Sequence, residues 1–307
     1  MNKPKFTVVI PLFNKAEHIL RTLNSIKNQH YQPAEIIVVD DGSTDNSAEI
    51  VANAKIDNLR LIQQDNTGVS GARNKGIILA KHEYVAFLDA DDQWLPLYLL
   101  ETANLINKFP DAQVFGTSYQ IVETGGRYVD ANINIKNIDP TGFILNDFFE
   151  IASGGDLPFT MSSIAFKKSI FSAIGMFPEG EPIGEDQDVF CRAALHSAIA
   201  YSCNIHALYH RDATNRACLG NVPKSECPFS QRVTAQAKLL VHNNAQRINM
   251  LKYSAAHLCH LAKINIQIGR YHQARKLLAD PRCKLKPKHR ISLYAWSWLT
   301  QLFISVR

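Results

Sequence analysis

No apolar run in the 307-residue sequence approaches the roughly 20 residues that a membrane-spanning helix needs. The six cysteines (Cys191, Cys203, Cys218, Cys227, Cys259 and Cys283) are scattered, with no C-x-x-C pair and no zinc-type spacing. That excludes a zinc ribbon or a dithiol redox motif and leaves buried free thiols in a reducing compartment as the expectation. No G-x-G-x-x-G follows the first expected strand, and Gly76 is followed by Ile77 rather than by Lys and Ser/Thr. A dinucleotide fingerprint and a Walker loop are therefore both absent. No tandem repeat organises the 15 glycines and 13 prolines. Acid nearly disappears from the last part of the chain: residues 225–307 hold 2 Asp+Glu against 14 Lys+Arg, net +12. Residues 1–224 hold 26 against 19, net −7, so the overall charge of +5 conceals two regions of opposite sign.

What is present is an ordinary globular composition, 46% hydrophobic and 20% charged, which excludes disordered and collagen-like chains. The length fits two domains, or one large α/β domain with an appendage. Lys3 and Lys5 precede a short apolar run, Phe6 to Phe13, that contains Pro11 and has no small-residue cleavage site, which predicts a cytoplasmic start rather than a signal peptide.

The first hundred residues alternate strand and helix. Thr7–Ile10 is a β-branched run ended by Pro11, and residues 16–28 place Ile19, Leu20, Leu23 and Ile26 on one helical face. Residues 35–39, 59–63 and 84–88 read as further strands, each followed by a polar loop and a helical segment. Successive β-α units predict a mainly parallel sheet with right-handed crossovers and helices on both faces. Ligands bind such sheets outside the carboxyl ends of the strands, where all four polar loops fall. After Val114 the strands become shorter, and from Ser225 the pattern is helical throughout. The charge inversion and Pro223/Pro228 put the domain boundary near 215–228, giving a catalytic domain over 1–220 and a basic helical region over 221–307.

The carboxylates carry the chemistry. Asp89 and Asp91 flank Ala90 directly after the fourth strand; in an extended segment residues i and i+2 share a side, and two close carboxylates call for a cation such as Mg²⁺ or Mn²⁺. The competing role is a turn and helix cap. Asp40 and Asp41 after the second strand suit either a cap or a bond to a nucleobase or ribose. Gly68 to Gly76 has the glycines of a phosphate cradle, in which Arg73 pairs with phosphate or with a neighbouring carboxylate. Glu185 and Asp186 open a helix, where acids are favoured in any case and where one of them is placed to act as a general base.

Taken together, the segments V-V-I-P-L-F-N (8–14), V-V-D-D-G-S-T-D (38–45), G-V-S-G-A-R-N-K-G (68–76), F-L-D-A-D-D (87–92) and G-E-D-Q-D (184–188) resemble, in order and spacing, the inverting family 2 glycosyltransferases of GT-A fold, over about residues 5–212. The resemblance implies an α/β fold with a mainly parallel GT-A sheet, followed here by an α-helical C-terminal region. It also implies a nucleoside-diphosphate sugar donor, a UDP-sugar before others, a divalent metal (Mn²⁺ or Mg²⁺) and a saccharide or lipid-linked acceptor in cell-surface glycan synthesis. Carried across block by block, Pro11, Phe13 and Asn14 line the nucleotide pocket, with Phe13 against the base, and Asp41 binds the base. Arg73 sits near the diphosphate, Asp89 meets ribose or metal, and Asp91 holds the metal, with Asp92 a further ligand candidate. Asp186 is the catalytic base, supported by Glu185. His210, Arg211 and Arg216 are candidates for a late basic residue near the pyrophosphate, and the stretch before Ser162 and Ser163 falls where the acceptor is expected. The rival functions are a sugar nucleotidyltransferase and a non-catalytic nucleotide-sugar module; intact Asp89, Asp91 and Asp186 weigh against the second.

Residues 225–307 hold no assignable motif beyond a partial likeness of 268–278 to a tetratricopeptide-type helix pair. Arg282, Lys284, Lys286, Lys288 and Arg290 precede an apolar helix with Trp296 and Trp298. That layout suits an anionic membrane surface, or a helix packed on its neighbours with a solvated basic rim; no nucleic-acid module is present. The expected location is the cytoplasm, with a peripheral position on the membrane's inner face under the first reading.

Overall fold

A computed structural model describes residues 3–136, 138–181, 183–213, 222–240 and 242–305. The chain divides into two compact units: the first takes Met1–Asn146, Asp156–Glu181 and Glu185–Asn215, and the second Asp147–Gly155, Pro182–Gly184 and Arg216–Arg307. The sequence expectation put one cut at 220/221; the second unit also gathers two short segments from earlier in the chain.

The first unit is built on a ten-stranded mixed sheet. Strands β1 (Phe6–Leu12), β2 (Glu35–Asp40), β3 (Leu59–Gln63) and β4 (Tyr84–Phe87) lie side by side in the order β3-β2-β1-β4, all parallel. Every residue of β1 and β2 is buried, as expected of β-branched runs covered on both faces. The chain winds one way from β1 to β2 and β3 and the other way to β4, so the carboxyl ends of β1 and β4 mark the point where the strand order reverses.

Helices cover both faces. Helix α1 (Ile19–Lys27) buries Ile19, Leu23 and Ile26 as its periodicity predicts, but Leu20, expected on the same face, is 51% exposed; α2 (Ser47–Ala52) follows β2. Helix α3 (Gly68–Leu79) packs so closely on β1 that a Cβ at Gly76 would lie 2.3 Å from Val9 Cγ1. Only glycine permits that approach. The sequence pattern predicts this helix from about Ala72, but it starts four residues earlier.

Beyond β4 the sheet loses its parallel order. After the short β5 (Gln93–Trp94) and α4 (Tyr98–Lys108) come β6 (Val114–Val122), β7 (Tyr128–Asp130) and β8 (Phe143–Ile144). Strand β9 (Ile164–Lys167) inserts antiparallel between β4 and β6, and β10 (Ile199–His210) runs parallel to β6, with register shifts between Ser202 and Ala207. Helices α6 (Ile170–Ile174) and α7 (Glu185–His196) lie between β9 and β10 in the chain.

The second unit is helical: α5 (Phe148–Gly154), α8 (Pro228–Leu239), α9 (Asn244–Gln267), α10 (Tyr271–Leu278) and α11 (Pro287–Ser305). Phe148, Phe149, Phe229, Tyr253 and His257 form a chain of edge-on and tilted ring contacts at its centre. Asn243 caps α9 by accepting from Gln246 N–H. The described cysteines are all unbridged thiols, and only Cys203 is not buried; Cys218 lies outside the described residues.

Candidate active site

The polar loops expected at the carboxyl edge of the sheet do meet there, through hydrogen bonds that join distant stretches of the first unit. The loop after β1 is locked to the loop after β2. Asn14, held at φ 51°, accepts from Thr44 N–H at 2.7 Å, while its own N–H donates to Ser43 Oγ at 3.0 Å. Asp45 accepts from Ala16 N–H at 3.0 Å. This lacing leaves Phe13, just past the end of β1, 43% exposed, near buried Pro11.

Asp41 is buried where β2 ends, and its carboxylate explains the early start of α3. One oxygen accepts from Thr67 N–H at 2.9 Å and Gln64 Nε2 at 2.8 Å, and the other accepts from Gly68 N–H at 2.8 Å. Two otherwise unpaired N–H groups at the helix start thus meet an anion donated by another loop. Asp40 turns the other way and accepts from Ser43 N–H at 3.1 Å.

Arg73, buried on α3, is the hub. Its Nη2 donates to Asp89 Oδ1 and its Nη1 to Glu185 Oε1, each at 2.9 Å, and its guanidinium carbon lies 5.5 Å from the Phe177 ring centroid. A side chain from α3 thereby ties the turn after β4 to the first residue of α7. Burial works against the charge on Arg73, but Asp89, Glu185 and Asp186 outweigh it and hold the guanidinium firmly protonated. Its Nε is buried without a partner among the described residues.

Asp186 adjoins this hub. Burial among protein atoms pushes its carboxyl up to about 7; Glu185 and Asp89 add to the rise, while Arg73 and the Gln187 N–H oppose it. Part of the side chain still faces solvent. A carboxylate poised near neutrality beside an open edge is suited to taking a proton from an alcohol. The third acid of the helix, Asp188, is used internally, against Arg192 Nε at 2.7 Å.

The turn after β4 differs in detail from the sequence expectation. Strand β4 ends at Phe87, and Asp92 N–H closes a turn onto Asp89 C=O at 3.0 Å. Asp89 and Asp91 therefore do not project side by side from an extended strand: Asp89 meets Arg73, and Asp91 meets Lys15 Nζ at 2.7 Å. Asp92 points into the protein, where Ser162 Oγ and His210 N–H donate to it, and burial beside Asp91 and Asp89 raises its pKa well above the ordinary carboxylate range. Asp92 anchors the turn rather than offering oxygens to a ligand. Ser162, fully buried, also accepts from Asp89 N–H at 3.1 Å.

Two residues that sequence reasoning missed, Lys15 and Arg21, complete the site. Lys15 faces Asp91, and Arg21 on α1 donates to the Asp91 carbonyl at 2.7 Å and pairs with Asp212 at 2.9 Å. Of the late basic candidates, His210 is brought here. Burial first, then Arg21, lowers its pKa to about 4, so the imidazole is neutral, and its Nε2 has no partner among the described residues. Arg211 instead pairs with Glu123 at 2.9 Å, and Arg216 lies outside the described residues.

Asp89 and Asp91 present the hard oxygen donors that Mg²⁺ and Mn²⁺ prefer. Among the described residues no three His, Cys, Asp or Glu side chains converge on one point. Asp89 and Asp91 each meet a cationic side chain, Arg73 and Lys15, and an ion here would need further oxygens, such as a ligand's phosphate, to complete its shell.

The chain is similar to proteins of one kind. It is 31% identical to an uncharacterized glycosyltransferase of Rickettsia bellii over 186 residues, 59% of this chain and 25% of that protein. It is 38% identical to the amylovoran biosynthesis glycosyltransferase AmsB of Erwinia amylovora over 113 residues, 35% of this chain and 38% of that protein. The matches thus span well under half the length of these relatives. Among solved structures, that of S. aureus TarS 1-349 in complex with UDP-GlcNAc matches at TM-score 0.68 and 21% identity, covering 94% of this chain and 89% of that one, which supports the GT-A type of fold. Residues 7–171 match the model of glycosyl transferase family 2, and the chain belongs to that family of glycosyltransferases.

Proposed function

We propose that the protein transfers a sugar, with inversion, from a nucleoside-diphosphate sugar to a hydroxyl of a saccharide or lipid-linked saccharide in cell-surface glycan synthesis. The observation that carries this reading is the Arg73 hub: one buried guanidinium joins Asp89 to Glu185, and Asp186 stands beside it with a carboxyl near pKa 7. A UDP-sugar is the proposed donor, supported by the UDP-GlcNAc and UDP complexes of TarS, and the polysaccharide role is supported by AmsB.

Phe13 offers an exposed ring for the base at the rim, next to Pro11, while Asn14 fixes the loop that carries them. Asp41, whose two carboxylate oxygens hold the start of α3, is the proposed contact to the base. Asp91 would hold a divalent cation, with Asp89 of the same turn meeting ribose or that ion, and the ion would supply charge neutralisation to the departing diphosphate. Lys15 and Arg73 meet these carboxylates and Arg21 the Asp91 carbonyl, fixed positive charge suited to phosphate oxygens. Asp186 accepts the acceptor's hydroxyl proton as that oxygen bonds to the anomeric carbon, and the bond from that carbon to the diphosphate oxygen breaks with its electron pair leaving on the nucleoside diphosphate.

The test is turnover of a panel of nucleotide sugars with Mn²⁺, followed as released nucleoside diphosphate. Asp186→Asn is expected to lower transfer by about 10²–10⁴-fold while donor affinity is retained. Loss of donor binding in that variant, or consumption of nucleoside triphosphate with sugar phosphate by the native protein, would overturn the proposal.

A further inference from the structure

The second unit carries an exposed apolar surface on helix α11. Helix α11 has two apolar sides. Leu293 and fully buried Ser297 face inward. On the opposite side Ile291, Trp298 and Leu302 are 68%, 53% and 59% exposed. At 100° per residue, positions 291, 298 and 302 fall within about 40° of one another, a single stripe along the helix. Exposed Lys288 lies on the same side one turn earlier, preceded by exposed Lys284. Arg275 of α10 stacks on the Trp298 ring, 4.1 Å from its centroid.

The charge around this stripe is one-sided for a structural reason. The only acids of residues 225–307 are Glu226 and Asp280. Both are bound to Arg282: Nη1 donates to Glu226 Oε1 at 2.6 Å, and Nη2 to Asp280 Oδ2 at 2.8 Å. With both acids engaged by Arg282, the stretch carries 13 further Lys and Arg. The unit's remaining acids, Asp147 and Glu150, come from the separate segment 147–155, where Asp147 accepts from Glu150 N–H and Asn249.

We infer that the Ile291–Trp298–Leu302 stripe of α11, rimmed by Lys284 and Lys288, docks on an anionic lipid bilayer. An exposed apolar stripe among basic residues lies in the plane of the interface, with Trp at headgroup level and the lysines against acidic headgroups. The same face of a second copy would match it less well, because like charge would meet like charge. The surface needs no spanning segment, and no helix among the described residues is long and apolar enough to cross a membrane.

The full chain is to be sedimented with vesicles of mixed phosphatidylglycerol and phosphatidylcholine and with vesicles of pure phosphatidylcholine. It is expected to pellet with the first and stay in solution with the second, and added salt is expected to release it. Trp298→Ser with Leu302→Ser is expected to weaken vesicle binding about tenfold or more, and Lys284→Gln with Lys288→Gln about tenfold to thirtyfold. Both pairs lie at the surface and are expected to keep native circular dichroism and donor affinity. Equal binding to neutral vesicles, no binding to either, or indifference to the Trp298/Leu302 pair would each overturn the inference. So would a dimer in ultracentrifugation that those substitutions dissolve.

Discussion

Each unit contains one arginine clasped by two carboxylates, and the two clasps are built differently. Arg282 donates through Nε and both Nη atoms to Asp280 and Glu226, and Thr234 and Ser254 fill the rest of its fork. Arg73 reaches Asp89 and Glu185 through one Nη each, leaves Nε buried without a partner among the described residues, and adjoins a carboxyl held near pKa 7. A saturated polar network fixes a fold. One with a donor left over and a strained acid beside it is arranged for something that arrives later. The difference teaches that an arginine between two acids says little by residue type; the degree of saturation distinguishes scaffold from site.

Removing each guanidinium would separate the two roles most sharply. Arg282→Met strands Glu226 and Asp280 in a partly buried place and is expected to cost about 3–5 kcal/mol of stability by denaturant unfolding, with nucleotide affinity unchanged. Arg73→Met should lower stability by a similar amount, but it should also weaken donor binding and raise the pKa of Asp186 further, because Arg73 is what holds that pKa down. If Arg282→Met impaired the donor site as strongly as Arg73→Met, the distinction between the two clasps would collapse.

The next largest effect is on pH. Asp186 is protonated below its pKa of about 7 and ionised above it, so kcat/KM should fall about tenfold per pH unit on the acid side and level off above neutrality. The sign for stability is opposite: a carboxyl whose pKa is raised in the folded state favours folding at low pH and loses that contribution as pH climbs toward the folded value. Asp186→Asn should therefore raise Tm more at pH 8 than at pH 5. Arg282 titrates far above this window, so Arg282→Met should leave the pH profile of activity where it was.

Much of this was legible in local sequence. The β-branched runs mark β1 to β4, and the acids after β2, after β4 and at the start of α7 are conspicuous because strand ends concentrate polar residues at one edge. What escaped were pairings set by distance in the chain. Arg21 meets Asp212 across 191 positions. Lys15 looks like any loop lysine until Asp91 is seen facing it. The i, i+2 argument for Asp89 and Asp91 assumed extended backbone, but the strand had already ended. Helix α3 begins early because Asp41 reaches over from another loop, a cap that no local pattern contains. Helix α5 lies in the middle of the sheet-forming sequence yet packs against α9, through Phe148 and Phe149 on Tyr253. Tertiary hydrophobic burial overrode sequence order there.

The smallest effect tests the two units through their exposed aromatics. Phe13 and Trp298 are 43% and 53% exposed, so neither loses much packing on truncation, and Phe13→Ala and Trp298→Ala should both fold normally. Their functional costs should be exclusive. Stacking of a base on an aromatic ring is worth about 1–3 kcal/mol, so Phe13→Ala should weaken nucleotide binding by at least about fivefold in calorimetry, with no change toward vesicles. Trp298→Ala should leave nucleotide affinity within error and weaken only vesicle binding. A ring that mattered to both ligands, or to neither, would show that exposure had been mistaken for purpose in that unit; an exposed aromatic by itself is unremarkable, and only the chemistry around it, a strand end laced to a helix start or a basic rim without acids, gives it a partner.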